Sequence, residues 1–143
     1  MKPSTSLLLA RLAILPVFLW NLQCALAFIL WPERFTLAFE LNGVAGEAAV
    51  RGIGVLFLMW NVPYAVALWH PLRHRISLYE ATAMQAIGLL GETLIWLSLS
   101  PAHNLLRASL MRFIVFDGAG LVLLLVAIWL SIRAAIPEAE RQH

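Results

Sequence analysis

The sequence predicts an all-α integral membrane protein: a four-transmembrane-helix bundle with a longer outer loop, read as an interfacial helix, between helices 1 and 2. Three observations carry that prediction. Of the 143 residues, 62% are hydrophobic and 13% charged, where a soluble domain has roughly 25% charged residues. The mean hydropathy is +0.83. The charges are also unevenly spread, leaving four long stretches with at most one charge each, and about 20 consecutive apolar residues suffice to cross a hydrocarbon core.

The first predicted span, 7–31, is uncharged from Leu12 to Trp31. Its start resembles a secretory signal, with Lys2 ahead of an apolar run and small residues at Ala25 to Ala27. Arg11 interrupts that run and "FILW" continues it beyond any cleavage point, so a retained helix is expected. The second span, 51–71, is uncharged from Gly52 to Leu72. The third, 80–100, carries Glu92 as its one internal charge, and the fourth, 112–133, carries Asp117. Residues 134–143 are expected to form a short cytoplasmic tail. No linker, repeat or charge block divides residues 1–143, which reads as a single membrane domain.

With the N-terminus inside, Lys2, Arg11, Arg73, Arg75, Arg133 and Arg141 lie on one side, against Arg34, Arg51, Arg107 and Arg112 on the other. The positive-inside rule then places both termini in the cytoplasm. Trp31 and Trp96 fall toward the outer interface, Trp69 and Trp129 toward the inner. The connection from Pro32 to Arg51 mixes Phe35, Leu37, Phe39 and Leu41 with glutamates. It predicts an amphipathic interfacial helix broken near Asn42-Gly43.

Several function classes are disfavoured. A net charge of +2 with scattered basic residues offers no stripe to follow phosphates, so no nucleic acid is expected. Cys24 is the single cysteine, which removes disulfide, Cys-x-x-Cys and multi-cysteine zinc chemistry. Of His70, His74 and His103 only His70 and His74 are four residues apart, and Pro71 separates them, so neither metal nor cofactor is expected. No nucleophile elbow, phosphate loop or His-Glu-x-x-His occurs, which leaves enzyme status undecided.

What the membrane did not require are the polar residues inside the spans. At about 1.5 Å of rise per residue, Asn21, Asn61 and Glu92 share one layer near the bilayer middle, and Asp117 sits in the outer half. Ala81, Gln85, Gly88 and Glu92 recur at helical spacing, as do Glu47, Arg51, Gly54, Asn61 and Ala65, and these two faces are expected to oppose each other. "WNVPY" sets Asn61 and Tyr64 beside a proline bend, with a second bend at Pro16. An ionised carboxylate at mid-membrane is costly. Glu92 is therefore expected to be neutral and to donate to Asn61, Asn21 or Gln85, while Asp117 is expected to stay charged beside Arg51 or Arg112. Trp20 and Trp60 either fill the bundle or wall a cavity.

The ligand or cavity candidates are thus Glu92, Asp117, Asn61, Tyr64, Arg51, Arg112, Gln85 and Asn21. The expected role is a small-amphiphile-binding or accessory subunit, with the bilayer, an amphiphile, a partner membrane protein or a second copy as its partners. The alternatives are an oligomeric proton-coupled conduit, or an outer-leaflet lipid-modifying enzyme using Glu92 as acid and Asp117 as base.

Overall fold

The structure, a computed structural model, describes residues 3–139. It is all-helical: α1 (Pro3–Leu30), two single 3-10 turns (Pro32–Arg34 and Leu37–Phe39), α2 (Gly43–Trp69), α3 (Arg75–Ser98) and α4 (Asn104–Ala139). Short connections at 70–74 and 99–103 leave neighbouring helices antiparallel, as short loops in bundles do. The helices pack in the ring α1–α2–α3–α4 and back to α1, with the α2–α3 seam the sparsest.

Three helices are long and apolar enough to cross a membrane, over Thr5–Leu30, Gly43–Trp69 and Asn104–Ala135. α3 falls short because Arg75, Glu80, Gln85 and Glu92 dilute its apolar content. Compared with the predicted spans, α2 begins eight residues earlier, at Gly43 instead of Arg51, and α4 runs from Asn104 instead of Arg112. Arg51 and Arg112 therefore lie within helices and not at their ends. The helix of α4 also takes in residues 134–139 of the expected tail. Lys2 and Arg141, counted in the orientation, lie outside the described residues.

The outer connection differs from the expected interfacial helix. Only two 3-10 turns form, because Pro32 cannot extend α1 and Glu40 adopts a left-handed conformation (φ 55°) after the second turn. Gly43 then enters α2 at φ +63°, where a side chain would be strained.

The bundle is packed at one end and open at the other. Toward the 70–74 turn, Ala10, Ile14, Val17, Tyr64, Ala67, Leu78, Ala81, Leu124, Ala127 and Leu130 form one buried cluster. Its alanines let backbones approach closely, which is how helices associate where apolar burial gives little driving force. At the opposite end Phe28 meets Phe35, Phe39, Phe57 and Phe113 with ring centroids 4.7 to 6.4 Å apart, so the outer connection folds back over the bundle mouth. Gly54 belongs to α1's side: a Cβ there would stand 2.9 Å from Ala25 O, Ile29 Cγ1 and Phe28 Cβ. The face containing Gly54 thus packs on α1 and does not oppose the Gly88 face of α3, which meets α4.

Arginines close three helix C-termini, whose last carbonyls have no partner within the helix. Arg11 of α1 donates to Leu68 O (3.0 Å) and Trp69 O at the end of α2. Arg51 of α2 donates to Ile29 O (3.2 Å) at the end of α1. Arg107 of α4 donates to Trp96 O (2.9 Å) and Leu99 O (2.7 Å) at the end of α3. Cations at these positions also complement the helix dipole.

Candidate functional site

Three helices, α2, α3 and α4, converge on a polar column just above the packed core. Tyr64 of α2 donates from its hydroxyl to Gln85 Oε1 of α3 at 2.5 Å, with Ala81 O 3.1 Å away as a second acceptor. Gln85 Nε2 in turn donates to Asp117 Oδ1 of α4 at 2.7 Å. Tyr64 and Gln85 are buried, so this relay satisfies polar groups that would otherwise lie unpaired away from water. Two glycines make room for it. A Cβ on Gly88 would overlap Asp117 Oδ2, and one on Gly120 would stand 2.6 Å from Gln85 Nε2. The small residues at these positions are therefore sockets for polar side chains of the facing helix.

Glu92 lies two helical turns from Gln85, about 10.5 Å along α3. It lines the same chamber as Asp117. Glu92 Oε2 is buried and has no hydrogen-bond partner among the described residues.

Around this column is a small inner chamber of about 20 Å³, walled by residues of all four helices, including Asn21, Tyr64, Gln85, Glu92 and Asp117. That volume suits a single water molecule, which needs roughly 10–15 Å³ and two to four polar partners. Toward the open end lies an outer chamber of about 300 Å³, lined by Phe28, Phe35, Phe39 and Phe113 with Arg34, Ser109 and Arg112. It reaches the lower limit of ordinary small-molecule sites, roughly 300–1,000 Å³. Trp20, Cys24 and Phe113 wall both chambers. A shallow groove along the α1/α4 outer face, from Trp20 and Arg112 to Ala119, reaches the same wall.

The predicted candidates divide into three groups. Asn21, Tyr64, Gln85, Glu92 and Asp117 line the inner chamber, and Arg112 lines the outer one. Asn61 is buried on α2, where its Nδ2 donates to Phe57 O at 3.0 Å and its Oδ1 has no partner among the described residues; Arg51 stands apart, on the α1 terminus. Asp117 forms no ion pair with Arg51 or Arg112 among the described residues. Arg112 donates instead to Ser109 Oγ at 3.0 Å, and Ser109 donates to Ala38 O at 2.7 Å.

Sequence reasoning missed the outer chamber. Its lining comes from phenylalanines of the connection and from Cys24, residues that read as ordinary apolar positions until the connection folds back. It also missed the clasp holding that connection down: His103 Nδ1 donates to Glu40 Oε2 at 2.6 Å, and Leu106 N to Glu40 Oε1 at 3.3 Å. The hydrogen bond from His103 holds the Glu40 carboxyl below the usual glutamate range. No group of three or more metal-ligating side chains occurs among the described residues.

No family model, curated protein or solved structure matches this chain.

Proposed function

We propose that this chain is a four-span integral membrane protein that holds a small amphiphile at the open end of its bundle. The observation that carries this reading is the pair of chambers sharing one wall. The outer chamber offers aromatic surface to an apolar body with Arg34, Ser109 and Arg112 at its wall, and the inner one, with room for about one water, offers polar atoms to that water, among them the unpartnered Glu92 Oε2. Pockets for small molecules combine these features: a mostly apolar lining with a few converging polar groups. The α1/α4 groove gives a ligand dissolved in the bilayer a lateral way in.

Two observations support the fourth span. On α3, Ile87, Leu90, Leu94 and Leu97 are each about two-thirds exposed, at spacings of three and four residues. They form one apolar stripe that lipid would cover. At the helix ends, arginines lie over tryptophans, Arg34 on Trp31 (5.5 Å), Arg107 on Trp96 (4.0 Å) and Arg133 on Trp129 (3.8 Å). Such pairs suit the headgroup region, where aromatic and cationic side chains anchor a membrane protein.

Photolabelling in nanodiscs with an aliphatic diazirine amphiphile tests the binding reading. The label is expected on peptides containing Trp20 to Phe28 and Ser109 to Phe116, competed by excess unlabelled amphiphile. Labelling spread evenly over the α3 stripe and α4, without competition, would count against a binding site.

The presence of Glu92 and Asp117 in one chamber favours a second reading, a proton-coupled conduit. It requires an oligomer and a proton flux in proteoliposomes that Glu92→Gln abolishes. An enzyme at the outer leaflet draws less support, because Arg51 is spent on a helix terminus.

A further inference from the structure

Five of the arginines fall into two sets. Arg11, Arg51 and Arg107 each donate to backbone carbonyls at a helix end. Arg34 and Arg112 do neither that nor pair with a carboxylate among the described residues, and both line the outer chamber. The acids nearest in the chain do not cancel them: Asp117, five residues beyond Arg112, accepts from Gln85 and forms no ion pair with that arginine among the described residues. Glu40 is engaged by His103, and Glu33, the neighbour of Arg34, is exposed and forms no ion pair among the described residues.

Two exposed guanidinium groups at the wall of an aromatic chamber, neither paired with a carboxylate among the described residues, stand open to an anion that arrives with an apolar body. Guanidinium is also the side chain whose planar fork matches carboxylate and phosphate oxygens. Resting on the amphiphile-binding reading, we infer that the ligand class is anionic: an acyl-type chain or other apolar body lying against Phe28, Phe39 and Phe113, with a carboxylate or phosphate head held between Arg34 and Arg112. Ser109, already donating to Ala38 O and accepting from Arg112, fixes that arginine at the chamber wall. The selectivity for the head therefore resides at the mouth of the outer chamber, and the inner polar column receives no charge from the ligand.

The test uses bromine quenching of tryptophan fluorescence, since Trp20 walls the chamber. The full chain in nanodiscs is titrated with brominated dodecanoate and with its methyl ester. In parallel it is reconstituted with dibrominated phosphatidic acid or dibrominated phosphatidylcholine. The carboxylate is expected to bind about tenfold more tightly than the ester, the discrimination expected from one charged hydrogen-bonded contact. Arg34→Gln and Arg112→Gln each lower that acid-over-ester preference to about threefold or less, and Arg112→Lys restores part of it. The Arg34 side chain is exposed and donates no hydrogen bond among the described residues, lying only over the Trp31 ring, so a glutamine there leaves the hydrogen bonding of the fold as it is. Quenching by dodecanoate identifies a free carboxylate amphiphile, and selective quenching by phosphatidic acid identifies a bilayer lipid with a phosphate head; either supports the inference. Equal affinity for acid and ester, or a preference untouched in Arg34→Gln and Arg112→Gln, overturns it and leaves amphiphile binding standing. Failure of every probe to bind overturns both.

Discussion

Gly88 offers a sharp test of the polar column, because a single methyl group there has one place to go. In Gly88→Ala the new Cβ overlaps Asp117 Oδ2 and lies 3.3 Å from Asp117 Cγ. The carboxyl must turn or α4 must withdraw, and either movement breaks the 2.7 Å hydrogen bond from Gln85 Nε2. Losing a hydrogen bond to a charged or acidic partner in a buried site costs about 1.5–3 kcal/mol. Against this, replacing glycine by alanine within a helix returns up to about 1 kcal/mol. The net expectation is a loss of roughly 0.5–2 kcal/mol. Gly91, three residues along the same helix, is the matched control, since a Cβ there meets nothing within 4 Å. Gly91→Ala is expected to be neutral or slightly stabilising.

Reversible unfolding in mixed micelles, followed by circular dichroism, measures both variants. A double-mutant cycle with Asp117→Ala completes the assay: once the carboxyl is gone, Gly88→Ala should cost much less, because the two residues share one socket. If Gly88→Ala proves as stable as Gly91→Ala, or if its cost is the same with and without Asp117, the socket described here is wrong.

Two further predictions concern neighbouring groups. Tyr64→Phe removes the donor to Gln85 Oε1 and leaves that buried oxygen unpaired, a loss of about 1–3 kcal/mol in the same unfolding assay; a change below the error of the measurement would show that the 2.5 Å contact contributes nothing. The Glu40–His103 clasp predicts a response to acid. Because the folded state holds Glu40 below the ordinary glutamate value of 4.5, its contribution is complete above that value and is lost as the pH falls through the lower folded value. Protease sensitivity of the 31–42 connection should therefore rise on acidification below pH 4.5. In Glu40→Gln the connection should be more sensitive at every pH, without that acid-dependent rise; an unchanged acid response would assign it to other groups.

How much of this was legible in the sequence follows from what each residue depends on. The four helices could be read because charge-free stretches and single acids are local features. The convergence of Gln85 and Glu92 could also be read, since seven residues return a helix to the same face. The partner helix could not: the small-residue face of α3 was assigned to α2, whereas Gly88 receives Asp117 from α4. Spacing shows which residues share a face but not which neighbour that face meets. Helix ends were misplaced for a related reason. Glu47 and Arg51, and likewise Arg107 and Arg112, look like boundary charges, yet α2 and α4 continue through them because arginines are absorbed by carbonyls of adjoining helices or by the outer chamber. The aromatic chamber was the least legible feature. It exists only because Pro32 and Glu40 break the connection into two turns, which carry Phe35 and Phe39 back over Phe28 and Phe113.

The measurement closest to the central claim is native mass spectrometry of the protein released from nanodiscs made directly from its host membrane, comparing wild type with Cys24→Trp. Cys24 is half-buried in the wall common to both chambers, so a tryptophan there fills the place where a ligand would lie while the outward faces of the helices stay as they are. The account predicts a discrete bound mass on the wild type that is absent from Cys24→Trp, with the same helical content and assembly in both. A bare wild-type chain, or the same adducts on both proteins, would contradict it.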